Sequence, residues 1–152
     1  GLETVDGDLA RDWVGWQAGY TVDSTVQRSG ERSARCVGTA EEHGVGHNYA
    51  LNQTRPTPIL ARVWSRADGV SGSPDNNYSL YLDLVYTDGS PLWGQVSPLD
   101  TGTHGWQHVH GDAQGVCSVL RVLGIQGNCT QLCYSLGRPD RDIRRRGLED
   151  KR

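Results

Sequence analysis

Tyr78-Ser-Leu-Tyr-Leu-Asp-Leu-Val-Tyr86, followed by Thr87-Asp-Gly-Ser90 and Pro91-Leu-Trp-Gly-Gln95, is the stretch that decides the fold. Leu80, Leu82, Leu84 and Tyr86 alternate with Ser79, Tyr81, Asp83, Val85 and Thr87, the period-two pattern of a strand with one buried face. Asp88-Gly89 supplies the backbone freedom of a tight turn, so the chain is expected to return through Pro91–Gln95 as the second strand of a hairpin. One face of this hairpin is core. The other carries a tyrosine and a carboxylate.

The same alternation continues on both sides. In Ile59 to Ala67, the residues Ile59, Ala61, Val63 and Ser65 form a small or apolar parity, while Arg62, Trp64 and Arg66 form the other. A turn-rich loop, Asp68 to Asn76, separates this strand from the hairpin. Upstream, Tyr20–Val26, Ser33–Val37 and His47–Leu51 read as short strands, and downstream Trp106–His110 reads as another. Arg55-Pro-Thr-Pro58 is excluded from a central strand because proline lacks the ladder donor. Strands about ten residues apart with turn signals between them predict an all-β, antiparallel β-sandwich.

The C-terminal third departs from this pattern. Val116 to Ile125 reads as one strand, but Gly127 to Leu136 lacks clean alternation, which leaves the last strand of the sandwich in question. Gly137 to Arg152 holds eleven charged residues of sixteen, including Arg144-Arg145-Arg146. Such a segment buries too little apolar surface to offset its ordering entropy, so it is expected to be a disordered tail. The expected organisation is therefore a sandwich over 1–136 and a tail over 137–152.

Composition narrows the function. Phe and Met are absent, so the aromatic content rests on five Trp and six Tyr, rings with an apolar body and a polar tip. The net charge is −3 and the basic cluster lies in the tail, which argues against nucleic acid as a partner of the main body. No run of about 18 apolar residues is present to insert into a membrane as a helix. The opening Gly1-Leu-Glu, with neither Met nor a signal peptide, reads as cut from a larger precursor with other domains. Cys36, Cys117, Cys129 and Cys133 allow three disulfide pairings. Asn52, Asn77 and Asn128 each begin a glycosylation sequon, and together with the cysteines they point to a secreted, extracellular chain.

In order along the chain, Gly1-Leu-Glu, Trp13-Val-Gly-Trp16, Tyr20-Thr-Val-Asp and Arg28-Ser-Gly-Glu-Arg-Ser-Ala-Arg35 precede Val63-Trp-Ser-Arg-Ala67, the Tyr78–Leu84 strand, Thr87–Gly94 and Thr101–Trp106. This succession resembles carbohydrate-binding modules with a galactose-binding-like β-jelly-roll fold, over about residues 1–110. The resemblance implies a non-catalytic module whose partner is a glycan or polysaccharide. It also implies a structural calcium ion (Ca2+) held by Glu3 and the Ser29-Gly30 turn. The Phe-Asp-Asp-like segment that closes the family's last strand, and often its calcium site, has no counterpart after residue 110.

Sugar recognition requires flat rings against pyranose C–H faces and planar polar groups for the hydroxyls. Arg62, Trp64, Tyr81 and Asp83 on the non-core parity of the two clearest strands, with Trp93 and Gln95 on the return strand, are the candidate ligand-binding set for a concave sheet face. The alternative is that Trp64 and Trp93 are core aromatics and Asp83 is bonded to backbone, in an adhesion or scaffold sandwich that binds another protein. Trp13 and Trp16 read as a plug at the open end of the sandwich, with a second aromatic platform as the alternative; Trp106 reads as core. His104, His108 and His110 read as solvated or packed histidines, because no further ligand in the segment except Asp112 completes a metal set. An enzyme reading would pair Asp83 with Asp68, Asp75 or Asp100, but a shallow sheet face excludes water poorly, so no catalysis is expected.

Overall fold

The computed structural model describes residues 2–37, 41–113, 117–126 and 131–134, and all regular structure among them is strand. In chain order these are β1 (Val5–Asp6), β2 (Leu9–Ala10), β3 (Val14–Gln17), β4 (Thr21–Asp23), β5 (Ser33–Arg35) and β6 (His43–Ala50). They are followed by β7 (Ile59–Val70), β8 (Tyr78–Tyr86), β9 (Pro91–Pro98), β10 (Gly102–Ala113), β11 (Cys117–Gln126) and β12 (Gln131–Tyr134). Two five-stranded sheets, β10-β7-β12-β5-β4 and β3-β6-β11-β8-β9, accompany a small β1-β2 hairpin. Every pairing is antiparallel.

The quoted hairpin forms as its alternation dictates. Leu80, Leu82 and Leu84 are fully buried, each contributing about 1.5–3 kcal/mol on the scale of complete side-chain burial. From the facing sheet, Ala61 and Val63 of β7 and Ala34 of β5 complete the same core. Gly111 of β10 sets how closely the layers meet: a Cβ there would stand 3.2 Å from Leu82 Cδ1 and 3.5 Å from Leu80 Cδ2.

At the hairpin turn the Tyr86 N–H donates to the Ser90 carbonyl at 2.8 Å and the Gly89 N–H to the Tyr86 carbonyl at 3.0 Å. Gly89 alone in this turn has a positive φ, 87°. Asp88 acts through its side chain instead, accepting from the Ser90 N–H at 2.8 Å and the Ser90 hydroxyl at 2.6 Å. Those bonds hold its carboxyl below the usual range.

Several elements differ from the sequence expectation. β6 begins at His43 rather than His47, and Trp16, read as part of a plug, lies on strand β3. Trp106 is half-buried instead of core, on β10 where the register with β7 shifts between His104 and Gln107. β11 pairs with both β6 and β8, and β12 fills the place between β7 and β5, so the last strand left in question is supplied by Gln131–Tyr134. Cys36 is buried. Cys129, Asn128 and the charged 137–152 segment lie outside the described residues.

Candidate functional site

The structure divides the six predicted ligand-binding residues. Arg62 and Trp64 stand on β7 in one sheet, whereas Tyr81 and Asp83 on β8, with Trp93 and Gln95 on β9, stand in the other. Both pairs occupy the parity opposite their strand's buried residues. They therefore face away from the core in opposite directions, and the single two-strand patch expected from sequence does not exist.

On the β8 side, a register shift between Leu82 and Leu84 places Trp93 and Gly94 together opposite Asp83, a bulge that re-aims the edge strand. Gly94 has φ 69°. Its N–H donates to Asp83 Oδ1 at 2.9 Å. A Cβ on Gly94 would lie 3.2 Å from the Tyr81 hydroxyl, so the phenol lies against the bare backbone of the bulge. Burial, then the charge and hydrogen bond of Asp83, raise the Tyr81 pKa. Trp93 is 57% exposed, unlike the core tryptophan the alternative reading requires.

The same bulge separates Gln95 from this group. Gln95 is in register with Leu82, and directly opposed residues share a face, so Gln95 has the core-side parity on an edge strand. Its amide donates to the Trp93 carbonyl at 3.1 Å and braces the bulge from behind.

Trp16, read from sequence with Trp13 as a plug, and residues not singled out there lie on this same sheet. Val14 and Trp16 of β3 pair with Gly46 and Gly44 of β6, while Val45 between those glycines is fully buried. The outward side of β6 therefore has two positions without side chains, beside a half-buried Trp16. The signal was present as two period-two runs, Val14-Gly-Trp16 and Gly44-Val-Gly46. Trp13, by contrast, is buried and stacks on His47 with centroids 5.2 Å apart, as a plug would.

On the β7 side, the Arg28 guanidinium carbon sits 3.5 Å from the Trp64 ring centroid, and the His108 ring is 4.8 Å from it at 41°. One face of Trp64 is thus already occupied by a cation–π contact and is not open to a pyranose. His108 is held below its ordinary pKa by burial and by the charges of Arg62, His110 and Arg28.

Glu3 meets the 29–31 turn, as the resemblance implied. Its Oε2 accepts from the Glu31 N–H at 3.0 Å, its carboxylate packs where a Gly30 Cβ would be, and Arg32 donates to its carbonyl. Calcium takes six to eight oxygens, yet no group of three or more His, Cys, Asp or Glu gathers among the described residues. A guanidinium already occupies the Glu3 carbonyl, so these residues fit a hydrogen-bonded staple better than a calcium cage. The carboxylates considered as partners of Asp83 do not approach it as a pair: Asp68 is on the other sheet, and Asp75 and Asp100 are exposed outside the strands.

No protein-family model matches the sequence, and no curated protein matches it. Solved structures do match. The CBM22-1 xylan-binding domain from Paenibacillus barcinonensis Xyn10C aligns at TM-score 0.55 and 14% identity over 90% of this chain and 92% of that one. The chain has the β-jelly-roll fold of carbohydrate-binding modules. TmCBM61, solved with β-1,4-galactotriose, shares this jelly roll at TM-score 0.51 and 8% identity, over 82% of this chain and 83% of that one. The MgGH51 α-L-arabinofuranosidase aligns at TM-score 0.53 and 13% identity over 89% of this chain, which is 24% of the enzyme. At these identities the likeness concerns the fold, and the carbohydrate-binding-module jelly roll accounts for both sheets described above.

Proposed function

We propose that this chain is a non-catalytic, extracellular glycan-binding module that docks a neutral polysaccharide on the outward face of the β3-β6-β11-β8-β9 sheet. The observation that carries the reading is the exposure of Trp93 beside Tyr81 and Asp83. Trp93 presents a flat ring for the C–H face of a pyranose. The Tyr81 hydroxyl and the Asp83 carboxylate, fixed to each other and to the Gly94 N–H, bond sugar hydroxyls. Trp16 of β3 stands across the same sheet, three strand spacings or roughly 14 Å from β8. The fold neighbours named for xylan and galactotriose binding support a polysaccharide as the ligand class.

Affinity electrophoresis against a panel of neutral polysaccharides, xylan and β-1,4-galactan among them, tests the proposal. Binding by the wild-type chain is expected to weaken about tenfold in Trp93→Ala, the effect of withdrawing one ring face worth about 1.4 kcal/mol. Thermal stability should be preserved, because the ring is already exposed. Absence of binding across the panel, or binding indifferent to Trp93→Ala and Tyr81→Ala, would remove the proposal. It would leave the scaffold reading.

A further inference from the structure

We infer that the opposite face, the outward side of the β10-β7-β12-β5-β4 sheet, is a second binding surface, specific for anionic polysaccharide bearing carboxylate or sulfate groups. Arg62, Trp64 and Arg66 share one parity of β7 and span about 13 Å at the usual strand rise. On the adjacent strand β10, His108 is in register with Trp64 and His110 with Arg62. Arg28 reaches this row from the 24–32 loop to lie over Trp64. Three guanidiniums and two imidazoles therefore surround one tryptophan, in a chain whose net charge is −3.

Among the described residues no carboxylate lies within ion-pair distance of Arg28, Arg62 or Arg66. The acidic residues of β7 and β10 on this parity, Asp68 and Asp112, stand at the margins of the row, near the strand ends. The Arg28 guanidinium rests on the Trp64 ring, and the backbone leading to it is tied down. Asp23 Oδ1 accepts from the Thr25 N–H at 2.6 Å, the Thr25 hydroxyl at 2.7 Å and the Val26 N–H at 3.2 Å. The Ser33 hydroxyl donates to the Val26 carbonyl at 2.6 Å. A cation fixed in this way loses little freedom on meeting an anion.

Two features favour a polysaccharide over a nucleic acid. The row is linear, matching anionic groups repeated along a chain. The ring it contains is covered by Arg28, whereas single-stranded nucleic acid needs open aromatic faces for its bases. The face also carries its own pH response. His108 is surrounded by Arg62, Trp64 and Arg66 of β7, Arg28 of the loop, and His110 and Asp112 of β10; Cys133 of β12 is in register with Trp64. Burial and the positive charges of Arg62, His110 and Arg28 hold the His108 pKa below the ordinary value. A bound anion reverses that balance, so protonation and binding reinforce each other as pH falls.

The test uses the full chain with polygalacturonate, dextran sulfate, a neutral polysaccharide and single-stranded DNA as probes, at pH 7.5 and 5.5. At least one polyanion is expected to bind, more tightly at pH 5.5 and more weakly in added salt. The paired substitutions Arg62→Gln, at a half-buried position, and Arg66→Gln, at an exposed one, should weaken that binding about tenfold or more, as loss of charge-assisted hydrogen bonds implies, with the fold retained and neutral-polysaccharide binding unchanged. Binding of polygalacturonate alone identifies carboxylate as the recognised group, and of dextran sulfate alone, sulfate. Binding of neither, affinity indifferent to the substitutions, or equal affinity for DNA overturns the inference. Because the readouts use opposite faces, its failure is distinguishable from failure of the neutral-glycan site.

Discussion

Gly89 and Gly94 offer an internally controlled test of how the candidate site is built. Both have left-handed backbone, with φ 87° and 69°. They differ in surroundings: nothing lies within 4 Å of a Cβ on Gly89, whereas a Cβ on Gly94 meets the Tyr81 hydroxyl at 3.2 Å. Alanine at either position carries the strain of a left-handed residue, about 1–2 kcal/mol. Gly89 has the larger excursion, so strain alone makes Gly89→Ala at least as costly as Gly94→Ala. The contact predicts the reverse order. To admit the methyl the phenol must move, loosening its bond to Asp83 at a further cost of about 1 kcal/mol. For a chain of this size that extra cost lowers the melting temperature by about 2–4 °C relative to Gly89→Ala. The two variants and wild type would be compared by thermal unfolding and by ultraviolet titration of the tyrosines, with Tyr81→Phe identifying the Tyr81 component. In Gly94→Ala the Tyr81 phenol should titrate closer to pH 10, since it escapes burial and the Asp83 charge that raise its pKa. If Gly94→Ala melts no lower than Gly89→Ala, or the Tyr81 titration is unchanged, the packing of Tyr81 on the bulge is refuted.

Three further expectations concern the frame around the sites. Tyr20→Phe should lower stability by about 1–3 kcal/mol, because the buried Tyr20 hydroxyl accepts the Ala10 N–H at 3.0 Å and its loss leaves that donor buried without it; denaturant titration measures this. Asp23 should contribute to acid sensitivity. Burial raises its pKa, but the Thr25 and Val26 donors and Arg35 outweigh burial and hold it low in the folded state. Its stabilisation is therefore complete above the unfolded value of about 3.9 and is lost as pH falls through the folded one, so Asp23→Asn should flatten the stability profile below about pH 4. Glu3→Ala should lower the melting temperature, while excess chelator leaves the wild type unchanged; stabilisation by added calcium that a chelator reverses would return Glu3 to the role of a metal ligand.

Much of the fold was legible because burial acts on alternation. Leu80, Leu82 and Leu84 announce one buried face, and Asp88-Gly89 announces the turn, although the aspartate serves through its carboxylate and only the glycine through its φ. Gly127–Leu136 gave no such signal: a four-residue strand flanked on both sides takes its place from its neighbours' open ladder groups, not from its own periodicity. Trp93 and Gln95 were separable only once the bulge was known, since one inserted residue reverses every parity beyond it.

Alternation says which residues leave the core; it is silent on which layer they leave from. β7 and β8 carry the same small-or-apolar pattern and follow one another in sequence, and nothing within either strand distinguishes neighbours in one sheet from partners across the core. The connections do not settle it by length alone. Residues 71–77 pass from one sheet to the other, but so do residues 99–101, anchored by the buried Leu99 and its N–H bond to the Tyr78 carbonyl at 2.9 Å. Turn chemistry does not settle it either: Thr87–Ser90 has an aspartate that bonds two residues ahead and a glycine with positive φ, but so does Ser71–Asn77, through Asp75 to the Asn77 N–H and Gly72 at φ 94°. What closes the true hairpin is the backbone bond from the Tyr86 N–H to the Ser90 carbonyl across a turn of four residues. The functional consequence is large. A single glycan patch becomes two faces with different chemistry: one with an exposed ring and a fixed carboxylate, the other with a covered ring amid guanidiniums. On the two proposals made above the first would take hydroxyls and the second anions, so one sandwich would hold two kinds of polysaccharide on opposite sides.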